Sequence, residues 1–357
     1  MIAHWLSQPS AGTRHSRFAS AFAGEPTMSE RVNQLSPRWQ MMLALGTLYF
    51  VWGSTFLGIH YALESMPPFL LASARFLFAG GVLYVWMRLR GIPNPTRLNT
   101  RAGLIVGGLL LLGGNGGLTF AEQYVPTSFA AVMIGAIPLW TVMLDWLIYG
   151  GGRPTRRVAA GLAGGFLGIA LLAGPSSILG GENLNPLGVV ALIFAALTWA
   201  VGSLYARRAP LPRVPLMATG LEMLAGGAWL ALAGTLAGEW SELDVSAISL
   251  KSVVALGYLA VVGSLIGFTV YIWLLRNTTP ARATSYAYVS PVVALALGAT
   301  LAGEDISLRT IAAAAIIIGS VVLLTSQQPE RKTAEATKTI EHAVVTGEMV
   351  ASSTPCP

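Results

Sequence analysis

The stretch FLLASARFLFAGGVLYVWM, residues 69–87, holds nineteen residues and a single charge, Arg75. As a helix rising 1.5 Å per residue it reaches about 28 Å, close to the depth of a bilayer's hydrocarbon layer. Comparable apolar runs recur at 41–61, 102–121, 128–149, 157–174, 187–206, 216–237, 252–275, 283–302 and 310–325. They are continuous and rich in Leu, Ala and Gly, whereas membrane strands alternate apolar and polar residues over about ten positions. Composition agrees: 54% of the 357 residues are apolar and 11% charged, against roughly 25% charged in a soluble domain. A soluble enzyme is excluded. The expected fold class is all-α, a polytopic membrane protein of ten transmembrane helices.

Lys and Arg set the orientation, because cytoplasmic loops retain positive charge during insertion. Of 22 such residues, nineteen fall before the first span, in the second, fourth, sixth and eighth loops, or after the last span. The other loops hold only Lys251 and Arg309, and Arg75 lies within a span. This places both termini in the cytoplasm and the chain in the cytoplasmic (inner) membrane. It also accounts for the net charge of +6 as topology, so nucleic acid is not an expected partner; membrane lipid is. Residues 1–40 are polar, lack the apolar core of a signal peptide and are expected to be disordered. Met28 opens MSERVNQLSPRW and stands beside Met1 as a start. Residues 326–357 read as a solvated cytoplasmic tail. The one cysteine, Cys356, lies in that tail, so neither an intrachain disulfide nor a Cys-rich metal site is possible, and no cofactor or metal is expected.

The run also has a second copy. PFLLASARFLFAGG (68–81) lies over PLMATGLEMLAGG (215–227) with a shift of 147 and one residue of slack at the closing glycines. This pairs Trp52 with Trp199, Pro68 with Pro215 and Arg75 with Glu222. Further along, a shift of 153 pairs Pro138 with Pro291 and Gly150 with Gly303. Residues 41–174 and 187–325 are thus two five-helix repeats. Five is odd, so the second enters the membrane from the opposite side and the halves are inverted around a central cavity.

Trp52-Gly53-Ser54-Thr55, Arg75-Phe76, Gly114-Asn115-Gly116 and AEQYVPTSFAAVMIGAIPLW (121–140) resemble the EamA family of the drug/metabolite transporter superfamily. Gly188, Trp199-Ala200, Arg207-Arg208, Ser290-Pro291 and Gly303-Glu304 are similar to its second half. The resemblance implies a transporter that exports its solute. One departure is the fourth span's ending, LIYGGGRP, without the Gly-Glu found at the end of the ninth.

An arginine within a span costs several kcal/mol unless it faces protein or water. Arg75 is therefore the leading substrate-binding candidate, its guanidinium suited to an anionic group; snorkelling to the outer surface is the alternative. Glu222, at the symmetry-related place, is a candidate for substrate binding and for proton coupling. Each lies about 9 Å deep from opposite sides, leaving an axial gap of about 12 Å across which they bracket a zwitterion rather than form a salt bridge. His60 is a secondary coupling candidate. Pro138 and Pro291 stand mid-span, where each removes a backbone hydrogen bond and kinks its helix beside the cavity. Trp52, Asn115, Trp140, Trp199, Tyr286 and Tyr288 are candidate lining residues. Asp145 is expected to pair with Arg153 at the interface. Gly161, Gly164, Gly165 and Gly168 permit close packing inside the chain, with a homodimer interface as the alternative.

The sequence thus points to a secondary transporter moving a small, amino-acid-like or drug-like solute by alternating access, with proton or ion coupling open. A passive channel or facilitator is the nearest competitor. An intramembrane enzyme is further away, since no His or carboxylate cluster such as H-E-x-x-H falls within the spans. The topology makes a direct prediction: fusions to a reporter active only outside the cytoplasm should be silent at residue 330 and active after residue 244. The reverse pattern would overturn the orientation.

Overall fold

The computed structural model describes residues 37–148, 155–173, 185–277 and 286–325. The N-terminal segment, the two candidate start sites, the C-terminal tail and Arg153 lie outside these residues. Among the described residues the fold is all helical, with no strand. The chain runs through α1 (Pro37–Leu63), α2 (Pro68–Leu89) and α3 (Arg97–Gly107), then a π-helical segment Gly108–Gly116, then α4 (Gly117–Ala121), α5 (Thr127–Gly135) and α6 (Ile137–Ile148). It continues with α7 (Arg156–Ala173), α8 (Pro186–Ala206), α9 (Pro215–Leu236) and a short α10 (Glu239–Glu242). A 3-10 turn leads to α11 (Leu250–Tyr258), a second π segment Leu259–Ile266, α12 (Gly267–Asn277), α13 (Tyr286–Leu301) and α14 (Leu308–Thr325). Seven helices among these residues are long and apolar enough to cross a membrane: Arg38–Leu63, Pro68–Leu89, Arg97–Ala121, Thr127–Ile148, Pro186–Ala206, Pro215–Leu236 and Leu250–Leu274. Their outer faces are apolar, with Phe50, Phe78, Val85, Phe194 and Val254 exposed, as lipid contact requires.

Helix starts follow local chemistry. Pro68, Pro186 and Pro215 occupy first turns, where the missing N–H costs nothing. Thr96 and Asn99 form a reciprocal capping box on α3, while Asn185 and Ser249 cap α8 and α11 through their side chains. Two starts are capped from afar. Glu239 accepts from the backbone N–H groups of Phe69 (3.0 Å) and Leu70 (2.8 Å) at the head of α2. Glu304 accepts from the N–H of Thr127 (2.7 Å), the N–H of Ser128 (3.0 Å) and the Thr127 hydroxyl at the head of α5. Each glutamate follows a left-handed glycine, Gly238 at φ 79° and Gly303 at φ 67°, which ends its own helix and turns the chain toward the neighbour. After α13 the Glu304 N–H returns to the Gly298 carbonyl at 3.0 Å.

The largest helix contact is α2 against α9, and α7 against α14 follows. Phe76, Leu83, Met217, Met223 and Leu230 fill the first interface. Here the backbones meet directly: a Cβ on Gly80 would fall 2.8 Å from the Leu224 nitrogen. The glycine face of α7 is occupied within the chain, Gly164 and Gly168 against Ser320 and Ile317 of α14, and Gly165 against Leu139 of α6.

Since Glu304 satisfies otherwise orphaned donors, Glu304→Ala should lower stability by roughly 1–3 kcal/mol, and Glu304→Gln by less because an amide oxygen still accepts. Thermal unfolding in detergent reads this. An unchanged midpoint in the alanine variant would show that the carboxylate does not hold α5.

Candidate functional site

Arg75 points from α2 to the π segment Leu259–Ile266. Its Nε donates to Ser264 Oγ at 2.9 Å, its guanidinium carbon lies 4.8 Å from the Phe76 ring centroid, and it is 6% exposed. A Cβ on Gly263 would stand 3.3 Å from one terminal nitrogen, so the small residue there admits the guanidinium. The two terminal amino groups make no hydrogen bond to any described residue. Snorkelling does not describe this side chain, which is buried against the protein.

The carboxylate whose charge reaches Arg75 is Glu122, directly after α4. Glu122 is 5% exposed, and both of its buried oxygens lack a hydrogen-bond partner. Arg75 and Glu122 form no ion pair, which means that their charged atoms stand more than 4.0 Å apart. Glu304 is the other charge acting on Glu122. In the sequence Glu122 stands just past the third apolar run, where it reads as an ordinary loop acid.

Around Arg75, the Trp52-Gly53-Ser54-Thr55 run joins α1 to its neighbours. Trp52 Nε1 donates to the Gly263 carbonyl at 3.2 Å, Ser54 Oγ meets Tyr258 Oη at 2.5 Å, and Gly53 lies against Val293 and the Ser290 carbonyl. The Trp52 ring stands edge-on to Tyr286 (4.4 Å between centroids) and Phe268 (5.4 Å), with Tyr271 tilted against it at 5.2 Å. Ser290 Oγ is buried without a partner.

The other candidates distribute differently. Glu222 is half-buried on α9, and its carboxylate makes no hydrogen bond or ion pair with a described residue; its backbone carbonyl lies against Gly107. Trp199 packs over Gly114 of the first π segment, which also holds Asn115. Trp140 stands edge-on to Phe166 at 4.7 Å, in contact with α7 rather than with the Trp52 cluster. His60 lies against Tyr61 in the last turn of α1. The helix is interrupted at Ala136, two residues before Pro138, whereas α13 runs through Pro291. The Tyr288 side chain lies outside the described residues. At the C-terminal end of α1, Lys251 pairs with Glu64 at 2.5 Å and covers the Tyr61 ring. Burial pushes the Glu239 carboxyl above its usual range, an effect its two backbone N–H bonds oppose.

Long apolar helices with apolar outward faces define an integral membrane protein. The particular assignment comes from sequence: residues 38–174 and 186–326 each match the EamA-like transporter family, and the chain belongs to it. It is 41% identical over 298 residues to the inner membrane transporter YedA of Escherichia coli (strain K12), covering 83% of this chain and 92% of that one. It is 25% identical over 280 residues to a "Probable amino-acid metabolite efflux pump" of Salmonella typhimurium, covering 76% and 90% of the two chains. One solved crystal structure shares the fold at a TM-score of 0.56 and 22% identity, covering 80% of this chain and 98% of that one. The protein is a multi-pass transporter of the inner membrane.

Proposed function

We propose that the chain exports a small, amino-acid-like or drug-like solute by alternating access, through ten membrane helices arranged as two inverted halves with both termini cytoplasmic. The observation carrying this reading is Arg75: a buried guanidinium with free terminal donors, in contact with a broken stretch of helix, where a carboxylate-bearing solute finds a ready partner. The relative named for amino-acid metabolite efflux supports the solute class and the outward direction.

Several features support the inverted halves. The two π segments begin eleven and nine residues into their helical rods, at Gly108 and Leu259. Contacts exchange under the same relation: α1 packs on α13 as α8 packs on α5 and α6, and α9 packs on α3 and the first π segment as α2 packs on α11 and the second π segment. Trp52 lies on Gly267 as Trp199 lies on Gly114. Glu222, whose carboxylate is unpaired, takes the place in the second half that Arg75 holds in the first. Segments that depart from regular α-helix are tolerated at membrane depth where they are buried in protein or line a cavity.

The test is transport by vesicles reconstituted with the purified protein, screened against a panel of amino acids and metabolites. Arg75→Ala should slow movement of a carboxylate-bearing solute by about tenfold or more, matching loss of a charge-assisted hydrogen bond worth roughly 1.5–3 kcal/mol. Arg75→Lys should fall between, keeping charge but losing the fork. Wild-type rates in a normally folded Arg75→Ala protein would remove Arg75 from the solute path.

A further inference from the structure

We propose that Glu122 is a proton-binding site whose occupancy is governed by the distance of the Arg75 guanidinium. Three observations on the structure lead here. The Glu122 side chain is 95% shielded, being 5% exposed, and neither oxygen accepts a hydrogen bond. A guanidinium with two uncommitted amino groups acts on it from α2 without touching it. A second carboxylate, Glu304, acts on it from the turn after α13 while being committed to three donors at the head of α5. Arg75 and Glu304 are the charged groups that face Glu122 among the described residues.

A carboxylate taken from water into low dielectric without a partner sheds its charge by taking up a proton. Two partners are available to Glu122, a proton or the Arg75 guanidinium, and here it contacts neither the guanidinium nor any other donor. When the guanidinium approaches, Glu122–COOH gives its proton to water in the passage and the resulting carboxylate pairs with Arg75. When it withdraws, or turns to a solute's anionic group, the carboxylate takes a proton back from water. No other reactant is needed. Glu304 biases the exchange toward the protonated form, since a second negative charge nearby disfavours ionisation. Because its oxygens already serve α5, it supplies that bias without competing for the proton. The site is distinct from Glu222, which stands on α9 without a hydrogen bond or ion pair to a described residue, and from His60, whose ring lies against Tyr61.

The experiment is labelling of the full-length protein in lipid vesicles with dicyclohexylcarbodiimide, an apolar reagent that adds to protonated, membrane-buried carboxyls, read by peptide mass across a pH series. Wild-type Glu122 should label, and labelling should fall along a single titration as pH rises. Arg75→Ala should move the midpoint upward by about one pH unit or more, a tenfold change in proton affinity. Arg75→Lys should leave it close to wild type, and Glu304→Gln should move it downward. The last two variants keep the test available if the alanine protein folds poorly. Absence of labelling at Glu122 at every pH, or a midpoint unmoved by Arg75→Ala and by Glu304→Gln, would overturn the assignment. The use of this proton in transport rests on the carrier reading above, and the titration does not. Vesicles that label at Glu122 yet move no solute would count against the carrier alone. Vesicles that move solute with a silent Glu122 would count against the proton site alone.

Discussion

Lipid supplies no hydrogen bonds, so every backbone N–H and C=O within the hydrocarbon must find its partner inside the protein. Helix interiors meet that demand by themselves. Their ends do not, because the first N–H groups of each helix have no intrahelical acceptor. In this chain the heads of α2 and α5 are served by Glu239 and Glu304, side chains from remote parts of the sequence. The device has two parts: a glycine in the left-handed region that ends one helix, and a carboxylate immediately after it that reaches the start of another. A negative charge at a helix N-terminus also meets the favourable end of the helix dipole, which strengthens both contacts.

Close packing has the same origin. With no hydrophobic drive between helices in lipid, association depends on van der Waals contact and on short backbone approaches. Gly80 allows α2 to lie against the backbone of α9, and the α7 glycines do the same against α14 and α6. The π segments are the converse case. There the helix departs from its regular ladder, and polar chemistry gathers at the departure: Arg75 donates to Ser264 and Trp52 to the Gly263 carbonyl. Single-turn π distortions often accompany function for this reason.

The helices were legible in the sequence because a continuous apolar run of about twenty residues has few interpretations. Expected bounds such as 187–206 and 216–237 lie within a residue or so of Pro186–Ala206 and Pro215–Leu236. Arg75 was legible too, since one charge in a long apolar run announces its own cost. The carboxylate whose charge reaches it was not. Symmetry directed attention to Glu222, while the charge that acts on Arg75 belongs to Glu122, one residue past a helix end and indistinguishable in sequence from a solvated loop acid. Burial of that kind depends on how helices stack, which a linear pattern does not encode. The π segments escaped notice for a related reason: Gly114-Asn115-Gly116 carried a family resemblance and no backbone reading, and Gly263-Ser264 sits in an apolar run that reads as ordinary helix. Trp140 shows the limit of aromatic patterns, its ring resting on Phe166 rather than joining Trp52.

The Gly-Glu pair at 303–304 was recognisable in sequence, yet its work became visible only in three dimensions, together with a second pair at 238–239 that no alignment of the halves suggested. Both glutamates belong to the second matched region, and both helices they cap, α2 and α5, belong to the first. Charge-assisted bonds of this type contribute roughly 1.5–3 kcal/mol each, comparable to a sizeable fraction of a membrane protein's packing at one contact. They lie at helix ends and so join the two regions there through directed bonds. Towards the middle of the helices the regions meet through glycines and apolar side chains, as at Gly80 and Leu224. Directed bonds either hold or break, whereas apolar surfaces can slide. An assembly joined in both ways has a natural division between what must be released as a unit and what can shift gradually.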